Sequence, residues 1–178
     1  MIGYLDVLLQ EPLGYVGGVL VTDEYGLPVE FRHTLPVRPT KLQRALYGSA
    51  LDRYLRTVVI TQRLLGGLEH DPVLVLVSDP ILVTEAALPL AHVTDSGVEP
   101  VGAVGKVSPF GGAAAGFLLQ LRADEAPLRV VTEAPPHLYP DMGRELVTGA
   151  ETMDIAEPMV RVKAGLALIA AGDVSAAA

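Results

Sequence analysis

The hydrophobic residues at the start of the chain fall into short runs that are typical of β-strands. Residues 2–9, 15–22 and 28–34 are rich in aliphatic and β-branched side chains, and clusters containing Pro or Gly separate these runs. Residues 23–26 connect the second run to the third and end in Gly26, which can take the positive φ that a tight turn needs. The pattern therefore predicts three consecutive strands, the last two of them joined as a hairpin.

The hydrophobic period changes to that of a helix between residues 37 and 68. Pro39 suits the first turn of a helix, because the N–H group that proline lacks would have no partner there. Gly48 interrupts the pattern, so the sequence predicts a long helix broken into two segments. The apolar side of the first segment consists of Leu42, Ala45 and Leu46, and that of the second consists of Leu51, Tyr54, Leu55, Val58, Val59 and Leu65.

Further strand patterns follow the helix. Residues 73–77 form a continuous apolar run, which predicts a strand that is buried on both faces and central in the sheet. Residues 90–104 predict two short strands on either side of a turn at 95–97. Residues 117–122 and 128–132 predict a second hairpin.

The last part of the chain combines a loop with two helices. Residues 105–116 are rich in Gly and Ala without any period, which predicts a mobile loop. A short helix is predicted over about 141–150, and a longer one over 158–171 begins with Pro and is followed by Gly172. Residues 174–178 are expected to fray.

These elements predict a single α+β domain over residues 1–178, built on a mainly antiparallel sheet. The long helix, broken at Gly48, follows the third strand. Together with the C-terminal helix it is expected to cover one face of the sheet. A chain of 178 residues, 50% of them hydrophobic, with a mean hydropathy of +0.39, can bury a core of its own.

The charge of the chain argues against a nucleic-acid partner. The formal net charge is −8 and the pI is about 4.9, so the overall field repels phosphate backbones. Ten Arg residues stand against three Lys, and the guanidinium fork suits fixed pairing with carboxylates. The absence of Cys excludes disulfides and thiolate metal sites.

The composition also bears on the source and location of the protein. Asn is absent as well as Cys, and there are 14 Pro residues, which indicates a heat-tolerant host or a biased codon usage. The first residues lack the basic leader of a secretory signal. The apolar stretch at 159–171 is too short for a membrane span and contains Arg161 and Lys163. A soluble, cytoplasmic protein is therefore predicted, with no membrane partner.

The candidate binding site is a group of basic residues where the third strand meets the helix: Arg32, His33, Arg38, Lys41 and Arg44. Such a group can receive a small anionic ligand or an acidic protein near the start of the helix. The alternative is that these side chains form internal ion pairs with Glu30, Asp23 or Asp52, which would make the cluster structural.

Acidic residues at strand ends offer a second, nuclease-like hypothesis. Asp6 lies on the first predicted strand and Asp79 follows the buried strand, so the two can converge if these strands are neighbours. Metal nucleases of the ribonuclease H kind hold divalent cations with acidic residues from adjacent strands. Asp52 is the acid that the following helix offers. The alternative is that Asp79 and Pro80 simply form a turn.

The other motifs of catalysis are absent or incomplete. No two of the four His residues have the spacing of a helical metal pair. Gly105 and Lys106 lack the upstream Gly and the following Ser or Thr of a phosphate-binding loop. No Ser lies in a nucleophile elbow. The sequence therefore predicts no catalytic residue, no metal site and no cofactor.

One set of residues resembles a group of uncharacterised bacterial proteins to which no activity is attached. The resemblance covers the first third of the chain and the last helix, through Phe31, the run Pro36–Thr40, Leu42, Gln43, Leu46, Tyr47, Gly48, Leu51, Tyr54, Leu55 and the pair Glu157–Pro158. The order of a hairpin followed by a long helix is also similar to that of roadblock and longin modules, which are small dimerising platforms.

The functional hypothesis from the sequence is a non-catalytic interaction or scaffold module that associates with itself. The apolar helices and the Val-rich strand carry more nonpolar surface than one sheet face can hide, which predicts a homo-oligomer. The C-terminal helix or an open sheet edge is expected in the contact. The alternative is a small-ligand-binding protein, or a hydrolase or nuclease-like enzyme, that uses the strand-to-helix junction.

Overall fold

A computed structural model describes residues 1–112 and 114–172. Its centre is one eight-stranded sheet with the strand order β3-β2-β1-β4-β5-β8-β7-β6. The strands are β1 Ile2–Gln10, β2 Gly14–Thr22, β3 Pro28–His33, β4 Leu74–Val77, β5 Leu90–Asp95, β6 Val107–Phe110, β7 Gly116–Leu119 and β8 Leu128–Thr132. The predicted N-terminal strands and the predicted hairpin turn, in which Gly26 has a φ of 76°, are confirmed.

Most neighbouring strands run antiparallel, but the middle of the sheet is parallel. β1 pairs antiparallel with β2, and it pairs parallel with β4 in the register Tyr4↔Leu76. β4 also pairs parallel with β5. A parallel neighbour requires a crossover connection, and the helices between β3 and β4 provide it. The α+β class with a mainly antiparallel sheet is thus confirmed, as is the central position of the Val-rich strand.

Five α-helices accompany the sheet within the described residues: α1 Lys41–Tyr47, α2 Leu51–Tyr54, α3 Gln62–Leu65, α4 Tyr139–Thr152 and α5 Glu157–Ala171. A π-helical stretch, Leu55–Thr61, joins α2 to α3, and residues 51–65 are called the central helical segment below. A helix after the third strand and a C-terminal helix are thus confirmed. α5 ends at Gly172 in the left-handed conformation, as its sequence pattern indicates.

The two helical layers lie on opposite faces of the sheet, whereas the sequence favoured one face for both. Residues of β1 alternate between the layers: Tyr4 packs with Leu146 and Val162 of α4 and α5. Leu5 packs in a separate cluster with Leu55 of the central helical segment. Because β1, β2 and β4 are apolar on both faces, each face needs its own cover, and one helical layer cannot supply both.

The π-helical stretch changes which residues of the central segment are buried. Ile60 is fully buried, while Val58, which the helical period placed on the apolar side, is 42% exposed. In a π-helix each N–H group bonds five residues back, so the buried face drifts away from the one that a 3.6-residue period predicts. The predicted apolar side of this segment is therefore only partly correct.

Of three other expectations for the second half of the chain, two are wrong and one lies outside the described residues. The predicted second strand of residues 90–104 does not form, because 98–104 lack any regular element. The stretch predicted as a loop, 105–116, contains β6, which pairs antiparallel with β7. The predicted fraying of 174–178 concerns residues outside the described part of the chain.

No helix of the described residues is both long and apolar enough to cross a membrane.

The break at Gly48 gives a testable pair of glycine substitutions. Gly48 has a φ of 51°, and a Cβ atom there would meet nothing within 4 Å, so the cost of a side chain is conformational. Gly165 lies inside α5, where a Cβ would make an ordinary contact of 3.6 Å with Phe31. We expect Gly48→Ala to lower the free energy of unfolding by about 1 kcal/mol and Gly165→Ala to raise it by up to about 1 kcal/mol. Urea unfolding of both variants checks this, and a stabilised Gly48→Ala protein would contradict it.

Candidate functional site

The predicted basic cluster is divided in two by the fold. Arg32 and His33 end β3, whereas Lys41 and Arg44 lie on α1. Arg38 lies between them and donates from Nε to the carbonyl oxygen of Leu13 at 2.8 Å, next to the β1–β2 turn. Whether these residues bind a ligand or a partner stays a prediction, but they do not form one continuous site.

Arg32 and His33 line a groove of about 630 Å³ between the end of β3 and the central helical segment. Arg63 of the central helical segment lines the same groove. The Arg32 guanidinium is already paired, with Glu30 at 2.5 Å and with Glu69 at 2.6 Å. Of the two interpretations of Arg32, the contacts match internal pairing, with Glu30 as the expected partner.

Glu30 is the centre of this ion-pair group and gives a prediction for pH. Burial opposes ionisation, but hydrogen bonds from Arg32, from the backbone N–H of Glu69 and from His70 outweigh it and lower the pKa of Glu30 from 4.5 to about 2. Because the folded pKa lies below the unfolded one, the stabilisation is complete above pH 4.5 and is lost as the pH falls towards 2. We expect Glu30→Gln to remove a pH-dependent contribution of about 1 kcal/mol to the free energy of unfolding. The value is this small because solvent screens the group. Urea unfolding at pH 7, 4.5 and 3 measures it, and parallel pH profiles of both proteins would contradict it.

The three acids of the nuclease-like hypothesis lie at the same end of the sheet but on different faces. Asp6 is buried on β1, and its Oδ1 accepts hydrogen bonds from Ser78 Oγ at 2.5 Å and from the N–H of Val7 at 2.8 Å. It shares its face with Tyr4, on the side covered by α4 and α5. Asp79 continues the alternation of β4 on the other face, where it meets the central helical segment.

Asp52 and Asp79 are held together by Arg56 rather than left open. Arg56 donates to Asp52 at 3.2 Å and to Asp79 at 3.4 Å, and it also donates to the carbonyl of Val7 at 3.2 Å. A guanidinium between the two carboxylates occupies the position that a cation would need. Among the described residues, no group of three or more His, Asp or Glu side chains is placed to hold a metal ion. Asp52 and Asp79 are thus paired internally through Arg56.

Helix α1 has an exposed apolar side. Thr40 caps it in a reciprocal capping box with Gln43, so the helix is well formed locally. None of its residues is buried, and Leu42 and Leu46 are 67% and 73% exposed. It packs on the chain that follows, where Tyr47 stacks on Tyr54 with 4.6 Å between ring centroids. The helix thus presents two leucines to solvent.

The charges on α1 are all positive. Lys41 and Arg44 have no carboxylate within salt-bridge distance in residues 1–112 and 114–172. The helix contains no acidic residue, in a chain whose formal charge is −8. The predicted interaction residues Lys41 and Arg44 therefore flank an exposed apolar surface, which the sequence analysis did not foresee.

A larger groove, of about 1040 Å³, lies on the other face of the sheet, between β4, β5 and the connection from α4 to α5. Its charged lining comprises four carboxylates and two cations, which leaves a formal charge of −2 with His92 neutral: Asp95, Glu125, Glu151, Asp154, Arg122 and Lys163. Its apolar lining includes Met153, Ile155, Met159 and Val160. We call it the acidic groove.

Sequence reasoning missed the acidic groove because its residues come from stretches far apart in the chain. Asp95 ends β5, Glu125 precedes β8, and Glu151 ends α4. The signal that was available is local: Glu151, Asp154 and Glu157 crowd the short connection between the two C-terminal helices. Taken alone, that run indicates only a solvated turn.

The comparisons with known proteins add little to this geometry. No protein-family model matches the sequence, and no curated protein matches it. Among solved structures, the crystal structure of human ENDOV is similar with a TM-score of 0.47 and 14% sequence identity, over 98% of this chain and 85% of that one.

Proposed function

We propose that the protein is a non-catalytic interaction module that associates with copies of itself through α1. The observation that carries the proposal is a capped helix with no buried residue, whose Leu42 and Leu46 are exposed beside Lys41 and Arg44. An apolar helix face costs free energy in water and marks an interface when it is contiguous.

The sheet edges support the proposal less well than α1 does. β3 and β6 form the two edges of the sheet. Each contains a proline, Pro28 or Pro109, which cannot donate a hydrogen bond to another strand. The pairing of β3 with β2 also shifts register between Val21 and Thr22, and such irregularities oppose edge-to-edge pairing. A helix-mediated contact is therefore favoured over an open edge.

Light scattering of the intact protein across a hundredfold dilution tests the proposal. We expect masses that are multiples of 18.8 kDa at micromolar concentration and that fall on dilution. Leu46→Glu should raise the dissociation constant by at least about tenfold, since an interfacial leucine is replaced by a charge. Leu168→Glu changes an exposed leucine of α5 that is neither part of α1 nor in the lining of the acidic groove, and it should have no effect. A mass of 18.8 kDa throughout would contradict the proposal.

The second candidate is binding of a small anion, with or without hydrolysis, at the strand-to-helix junction. Arg32, His33 and Arg63 converge on one groove, and that observation favours an anionic ligand. Thermal unfolding with inorganic phosphate and with citrate tests it, because ligand binding to the folded state raises the melting temperature. Arg63→Gln should abolish any such shift, and its melting temperature without ligand serves as the control.

A further inference from the structure

We infer that the acceptor for α1 is the acidic groove of a second copy of the chain, so that copies join head to tail. The inference rests on the proposed self-association and names its two surfaces. Both surfaces are present on every copy. Neither is covered by the described residues of its own chain.

The charges of the two surfaces are complementary. α1 carries Lys41 and Arg44 and no acidic residue. The acidic groove has a surplus of carboxylates, among them Glu151 in the last turn of α4 and Asp154 on the connection to α5. Opposite potentials favour the encounter and set its orientation. Pairing of α1 with α1 would instead bring like charges together, which argues against a symmetric contact through this helix.

The sizes and the chemistry of the two surfaces also match. A seven-residue helix is about 10 Å long and about 10 Å across, a volume of roughly 800 Å³. The groove measures about 1040 Å³. Its apolar lining, which includes Met159 and Val160, suits the exposed side chains of Leu42 and Leu46. This is the helix-in-groove mode of recognition, with leucines at an i, i+4 spacing as anchors.

The fold prevents a copy from filling its own groove. α1 packs against α2 through the stack of Tyr47 on Tyr54, and α2 belongs to the layer on one face of the sheet. The acidic groove lies on the opposite face, beside α4 and α5. The occupant must therefore come from another molecule. Two different surfaces on opposite faces generate a heterologous contact, which closes into a ring or extends as a chain.

Two variants separate the surfaces and keep the core intact, because the changed residues are exposed. The helix variant is Leu42→Glu/Leu46→Glu, and the groove variant is Glu151→Lys/Val160→Lys. Each variant alone is expected to remain monomeric at concentrations where the natural chain assembles. Circular dichroism and thermal unfolding verify that both are folded, and Leu168→Glu again serves as the control for surface charge.

Mixing the two variants gives the decisive measurement. The helix variant keeps an intact groove and the groove variant keeps an intact α1, so an equimolar mixture should form a heterodimer and nothing larger. Analytical ultracentrifugation with one variant labelled detects it. If each variant assembles like the natural chain, or if the mixture stays monomeric, the head-to-tail contact is overturned while self-association stands. If the natural chain is itself monomeric, the proposed self-association is wrong, and the head-to-tail contact is wrong with it.

Discussion

Replacing Gly17 with alanine is expected to lower the free energy of unfolding by about 3 kcal/mol, because the added methyl group overpacks a closed contact. Gly17 lies in β2, and a Cβ atom there would come within 2.2 Å of Ile60 Cγ2. Leu64 Cδ1 at 3.2 Å and Val7 Cγ2 at 3.4 Å close the remaining sides. Ile60 is fully buried in the π-helical stretch, so it has no room to retreat.

Urea and thermal unfolding measure the effect of Gly17→Ala. For a chain of this length, a loss of about 3 kcal/mol lowers the melting temperature by about 6–12 °C. Gly165→Ala is the matched control, because it adds the same methyl group at a place where the contact with Phe31 is an ordinary 3.6 Å.

A second substitution tests whether the contact with Ile60 causes the loss of stability in Gly17→Ala. Ile60→Leu removes the Cγ2 branch and keeps the volume, and alone it should cost less than about 1.5 kcal/mol. If the clash with Cγ2 dominates, the double variant should be more stable than the sum of the two single effects by about 1 kcal/mol or more. Strict additivity would show that the close packing of β2 against the π-helical stretch is not the source of the loss.

The N-terminal strands could be predicted because the information that defines them is local. Short runs of aliphatic and β-branched residues and a turn ending in Gly26 are visible within a few residues. The same holds for the break at Gly48 and for the start and end of α5. The division into two helical layers was not visible, because it depends on β1 pairing with β2 and with the distant β4.

The candidate sites show the same limit. Arg32 and Arg38 are close in sequence but have separate partners. Arg32 pairs with Glu30 at the sheet edge, whereas Arg38 donates to the carbonyl of Leu13. Asp6 and Asp79 do come to one end of the sheet, as the nuclease-like hypothesis required. The pairing of Leu5 with Val77, however, puts Asp6 beside Ser78 and leaves Asp79 on the other face. A one-residue difference in register decides which carboxylates meet, and no local pattern encodes it.

Arg56→Met is expected to lower the free energy of unfolding by about 2 kcal/mol, because it removes the shared donor of a carbonyl and of two carboxylates that are themselves partly exposed. The Arg56 side chain is only 19% exposed and contacts Asp52, Asp79 and the carbonyl of Val7. Methionine preserves most of the apolar contact of the side chain and removes the charge. Arg56→Lys keeps the charge but loses the fork, so it should cost less, about 1 kcal/mol.

Arg144→Met is the matched control for Arg56→Met. Arg144 pairs with Asp141 on the surface of α4 at 3.1 Å, with both side chains largely exposed, so its removal should cost less than about 0.5 kcal/mol. Urea unfolding at pH 7 compares the two variants, and equal losses of stability would contradict the special position of Arg56.

Thermal unfolding of the natural chain with Mg²⁺ and with Mn²⁺ tests the nuclease-like hypothesis. We expect neither ion to raise the melting temperature of the natural chain, since the Arg56 guanidinium already binds both Asp52 and Asp79, and a clear rise would show that the carboxylates are open to metal.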